Sequence, residues 1–171
     1  MHDVLTMLAL GALSIAAVGW DLATRRIPNV LTASGLLVAL ALRAFDGPGS
    51  VAAGLLAAAL AFGLAVPLVL AGGLGGGDMK LLAATAAFVG PSGLPILLLV
   101  TAIVGGMLAL GVALRRGMLR ETLTHSRALV ARAVPTRGAQ PRPRRTLRTP
   151  GALAVPYGVA IAAGAMVGWW A

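Results

Sequence analysis

"LAGGLGGGDMKLLAA" (residues 70–84) interrupts an oily chain with five glycines, an aspartate and a lysine. Apolar runs flank it, residues 51–71 before and 81–114 after, and neither carries a charged side chain. As one helix, the stretch 81–114 would measure roughly 50 Å, against a bilayer hydrocarbon core of about 30 Å. It must therefore fold back, and "GPSGLP" (90–95) is the signal for the break. The glycine cluster is then a short connection between membrane helices, and its aspartate stands where a span meets water.

Composition extends this to the whole chain. Of 171 residues, 58% are hydrophobic and only 11% charged, with a mean hydropathy of +0.92. Soluble domains carry roughly a quarter charged residues. The expectation is an all-α, polytopic membrane protein, with residues 1–171 forming a single domain of six transmembrane helices. The spans are expected at 4–20, 28–45, 51–71, 78–89, 94–114 and 151–170. Pro28 suits a first helical turn, residues 46–50 ("DGPGS") read as a turn, and Trp169 and Trp170 suit a membrane interface.

The charges orient the bundle. Arg25 and Arg26 follow the first apolar run, unlike the n-region of a signal peptide, so the N-terminus is expected outside. Ten of the fourteen basic residues fall between Arg115 and Arg148. The positive-inside rule places this 115–150 loop in the cytoplasm, together with connections 21–27 and 72–80. Arg43 is left near an outer end, where it would snorkel to water. Within the basic loop, 119–134 reads as an amphipathic surface helix and 136–150 as an extended tail. The loop is expected to touch anionic lipid rather than nucleic acid. With no cysteine, a disulfide, a thiolate metal site and a cysteine nucleophile are excluded. His2 and His125 stand alone, so neither a metal nor another cofactor is expected.

Of the five acidic residues, Asp3 and Asp46 belong to outer ends and Glu121 to the basic loop. Asp21 and Asp78 remain, 57 positions apart, and the alternating topology returns both to the cytoplasmic boundary. Two carboxylates a few ångströms apart in a poorly solvated site hold one proton between them. The protonated one polarises a carbonyl while the other takes a proton from water, the acid–base chemistry of aspartic proteases. Plainer roles exist for each. Asp21 beside Arg25 and Arg26 suits a charge-paired boundary, and Asp78 suits the cap of a new helix. Gly72, Gly73, Gly75, Gly76 and Gly77 fit either a flexible loop or a strip without side chains that lets an extended peptide approach. A non-enzymatic transport or pilus-assembly component is the alternative, although a transporter would place ionisable groups near the midplane and show internal repeats.

Three stretches resemble one family. "WDLATRRIPNVLT" (20–32) is similar to the first motif of the type IV prepilin peptidases, an aspartate followed by an Ile-Pro-Asn element. "GLGGGDMKL" (73–81) resembles their G-x-G-D motif with its following lysine, a motif shared with presenilin-type intramembrane proteases. "VPYGVAIAAGA" (155–165) is similar to the Pro-[YF]-Gly element that opens the last helix. The resemblance implies Asp21 and Asp78 as the catalytic pair. It makes Gly75 and Gly77 the motif glycines and Lys80 the motif lysine, with Pro28 and Asn29 in positioning roles; Pro156, Tyr157 and Gly158 receive no chemical role. It further implies a prepilin or pseudopilin substrate in a bacterial cytoplasmic membrane, cut to release a short basic leader. Larger relatives carry a domain with zinc-binding cysteines and also N-methylate the product. Without cysteine, this chain looks like the short, non-methylating enzymes of tight-adherence (Flp) pilus systems.

Overall fold

The computed structural model describes residues 2–115 and 157–171. The basic loop, with its expected helix at 119–134 and tail at 136–150, lies outside the described residues, as does Pro156. Among the described residues all regular structure is helical: α1 (His2–Thr24), α2 (Asn29–Ala44), α3 (Pro48–Leu70), α4 (Gly76–Arg115) and α5 (Tyr157–Trp169). Three stretches are long and apolar enough to cross a membrane, Asp3–Thr24, Pro48–Leu70 and Gly76–Val112, while α2 and α5 are shorter apolar helices.

The first part of α4 is the hub. Every residue from Leu81 to Val89 is buried, as expected of a helix that is apolar on all sides. Its one polar member, Thr85, satisfies its hydroxyl on the carbonyls of Leu81 and Leu82 at 3.1 and 3.0 Å. Alanines 57, 58, 61 and 65 of α3, with Gly54, face this hub, and their small size lets the helices approach closely. The most extensive contacts of α4 are with α5 and α3, and α1 packs chiefly on α5 and α2. Outward-facing Leu8, Leu37, Leu64 and Met107 are exposed, the inverse of a water-soluble pattern.

The expected break at 90–95 contracts to a single residue. Gly90 adopts φ 83°, ψ 178°, a left-handed φ that favours glycine, and Pro91 opens the next helical segment. The chain does fold back there. Gly105 in the second segment sits against the Tyr157 ring and Gly168 against Leu97, so residues 91–115 run antiparallel to α5.

That break also gives Arg43 partners within the fold. Pro91 has no N–H to offer the carbonyl of Ala87, and the turn at Gly90 removes a partner from Phe88. Arg43 reaches inward from α2 to replace both donors. Its Nε donates to Ala87 O at 2.6 Å and Nη2 to Phe88 O at 3.0 Å, while Nη1 donates to Ser50 Oγ at 3.2 Å. Ala87 and Phe88 are fully buried, where an unpaired carbonyl costs more than the ordering of one arginine. The half-buried guanidinium is therefore tied to the break at this end of the bundle.

Candidate active site

Asp21 lies on the buried face of α1. Leu10, Leu13, Ser14, Ala17 and Asp21 are all buried and recur at helical spacing. The helix ends just beyond in a left-handed cap: Arg25 has φ 52°, and its N–H donates to the Asp21 carbonyl at 2.8 Å. This termination fixes the Asp21 backbone while its side chain turns inward. Asp21 Oδ2 accepts the Gly158 N–H at 2.8 Å, so the first turn of α5 abuts the carboxylate. A β-carbon at Gly158 would lie 2.9 Å from Asp21 Oδ2 and 3.0 Å from its Cβ, which restricts the position to glycine.

Asp78 is placed by the glycine run, whose members have distinct jobs. Gly72, at φ 81°, closes α3: its N–H donates to Val69 O at 3.0 Å and the Gly73 N–H to Leu68 O at 2.8 Å, a Schellman pair. Gly75 is then the N-cap of α4, its carbonyl accepting the Met79 N–H at 3.1 Å. Asp78, at the third helical position, reaches back so that Oδ2 accepts the Gly75 N–H at 3.2 Å, half of a capping box. A β-carbon at Gly75 would crowd that oxygen at 2.7 Å. Gly77 rests on Ile27, where a β-carbon would come within 3.3 Å of the Ile27 backbone, and this contact draws the start of α4 against the start of α2.

Both aspartates line one open cleft of about 1100 Å³, shared with Arg25, Arg26, Ile27, Asn29 and the three glycines 75, 76 and 77. They are near enough for the charge of Asp21 to act on Asp78. Each carboxylate accepts one backbone N–H through its Oδ2. At the rim, Lys80 Nζ donates to Asn29 Oδ1 at 2.8 Å, tying the two motifs together through exposed side chains. Pro28 is the extended N-cap of α2 (φ −62°, ψ 137°) rather than its first-turn residue, and its carbonyl accepts the N–H groups of Leu31 and Thr32.

The structure thus gathers Asp21, Asp78, Gly75, Gly77, Lys80, Pro28 and Asn29 at one end of the bundle. It adds two residues with no role assigned from sequence: Gly158, an amide donor to Asp21, and half-buried Tyr157, within electrostatic reach of Asp78. The signal for them was the Pro-Tyr-Gly element that opens the last apolar run, to which the resemblance gave no chemical role. Two carboxylates lining one open cleft are groups that can activate water against a carbonyl.

A family model for type IV leader peptidases matches residues 7–110, more than half of the chain, and includes both aspartates, the glycine run and Lys80. No curated protein and no solved structure matches the chain. With apolar helices of membrane-crossing length and this match over both aspartate motifs, the multi-pass membrane chain belongs to the type IV leader peptidase family.

Proposed function

We propose that the protein is an aspartic endopeptidase, with Asp21 and Asp78 as its catalytic pair. In this proposal it removes the short basic leader of Flp-like prepilins or pseudopilins at the cytoplasmic face of a bacterial cytoplasmic membrane. The observation that carries it is that two carboxylates 57 positions apart share one cleft, each steered by a single backbone amide. Six spans with the N-terminus outside put this cleft on the cytoplasmic side. They are α1, α2, α3, the two segments of α4 around Gly90, and α5. The chain 1–171 then acts as one membrane-embedded peptidase domain without methyltransferase activity.

In the reaction, the ionised aspartate accepts a proton from water as the water oxygen bonds to the scissile carbonyl carbon. The protonated aspartate donates to the carbonyl oxygen. Collapse of the tetrahedral intermediate returns the carbonyl oxygen's proton to the aspartate that gave it and breaks the C–N bond, and the departing amine takes up the proton that the water gave. Gly75 and Gly77 keep side chains out of the path of an extended peptide, and the Lys80–Asn29 pair holds the cleft rim in place.

Reconstituted protein incubated with a prepilin-type peptide should yield two fragments whose masses report cleavage between leader and apolar segment. Asp21→Asn and Asp78→Asn should each abolish this while the protein still inserts, whereas Asp3→Asn and Asp46→Asn should cleave normally. Normal processing by either of the first two variants would refute the pair.

A further inference from the structure

A second, apolar groove of about 540 Å³ runs between α1 and α5, lined by Gly11, Ser14, Ile15 and Gly19 of one and Ala162 and Ala163 of the other. The two helices are antiparallel and meet at Asp21 and Gly158, so the groove leads away from the aspartate cleft into the apolar part of the bundle. Its floor is open: a β-carbon at Gly11 or Gly19 would meet nothing within 4 Å. Small residues alone would be a packing seam. Ser14 makes it more than that. The residue is 5% exposed, yet its Oγ has no hydrogen-bond partner, although a helical serine can usually reach a carbonyl one turn back. A buried hydroxyl without an acceptor is costly, and a lipid acyl chain offers none.

We propose that this groove receives the transmembrane segment of the substrate, a proposal that rests on the peptidase function above. Ser14 precedes Asp21 by seven residues on the same face of α1, a rise of about 10 Å. A segment whose scissile bond lies at Asp21, and which then continues into the bilayer parallel to α5, passes Ser14 two helical turns later. The glycines and alanines admit its backbone, and by parting α1 from α5 the segment gives the enclosed Ser14 hydroxyl an acceptor. The groove thereby sets which apolar segments are held in register with the aspartates.

The chain has no cysteine, so single-cysteine variants are free of background. Ile15→Cys, Ala163→Cys and, on exposed α3, Leu64→Cys are each placed in the Asp78→Asn background, which leaves substrate uncut. They are reconstituted in phosphatidylethanolamine–phosphatidylglycerol vesicles with a synthetic peptide. This peptide has a basic leader, an apolar segment of about 20 residues, and one cysteine in the first two turns after the leader. Oxidation should cross-link Ile15→Cys and Ala163→Cys to the peptide at several times the yield of Leu64→Cys. Equal yields, or cross-links only between two copies of the protein, would overturn the proposal. In the otherwise unmodified chain, Ser14→Ala should raise both the unfolding temperature without peptide and the KM for the peptide; a lower unfolding temperature would mark Ser14 as merely structural and overturn its role. The unmodified chain is assayed alongside. Failure to cut the peptide overturns the peptidase function and the groove with it, whereas cutting without groove cross-links overturns the groove alone.

Discussion

The two ends of the bundle handle charge in opposite ways. At one end, Arg43 fills the C-terminal carbonyls left by the break at Gly90, with all three guanidinium nitrogens engaged. At the other, Asp21 and Asp78 accept one amide each from the beginnings of α5 and α4, and both border an open cleft. Both devices exploit the unpaired groups that every helix terminus exposes. A saturated charge stabilises the fold and is chemically inert. A carboxylate bordering an open cleft is, under the function proposed above, the group that reacts. On that proposal one family of interactions serves architecture at one end and function at the other.

The comparison breaks most sharply if substitutions at the two ends have the same signature. Asp78→Asn should reduce cleavage by about a thousandfold or more and leave the unfolding temperature nearly unchanged; peptide mass analysis and thermal unfolding in detergent check the two halves. Gly158→Ala should act on the same end through position rather than chemistry. Its methyl group displaces Asp21, and a misplacement on the order of 1 Å corresponds to roughly a hundredfold loss of cleavage. Arg43→Ala should show the opposite profile. It strands two buried carbonyls at roughly 1–3 kcal/mol each, so denaturant unfolding should report a loss of about 2–6 kcal/mol, with the folded fraction still cleaving. The smallest effect belongs to the exposed Lys80–Asn29 bond. Lys80→Met should cost under about 1 kcal/mol and slow cleavage only several-fold, read from initial rates. Loss of cleavage as complete as in Asp78→Asn would move Lys80 from the rim into the chemistry.

The legibility of these regions in sequence differs for a physical reason. Helices, their apolar faces and the fold-back after residue 81 follow from local composition and from the thickness of a bilayer, both countable along one chain. Asp21 and Asp78 could be nominated because charges are rare in an apolar sequence and alternating spans return to the same face. The partners of Arg43, Ala87 and Phe88, could not be read because they are backbone groups whose vacancy depends on Pro91 and Gly90, far along the chain. The glycine run was legible as a run but not as three separate devices, because a Schellman closure, an N-cap and a helix contact differ only in backbone angles and neighbours.

Composition and patterning by themselves determined that this is an all-helical membrane chain with one pair of acids to explain, since hydrophobicity is a property of each residue summed over a span. Tertiary structure alone decided that Gly158 holds Asp21, that Gly75 holds Asp78, and that Ser14 is buried without a partner. Those facts depend on where a distant backbone amide arrives in space, and hydrogen bonds, being short and directional, are settled only when the helices have packed.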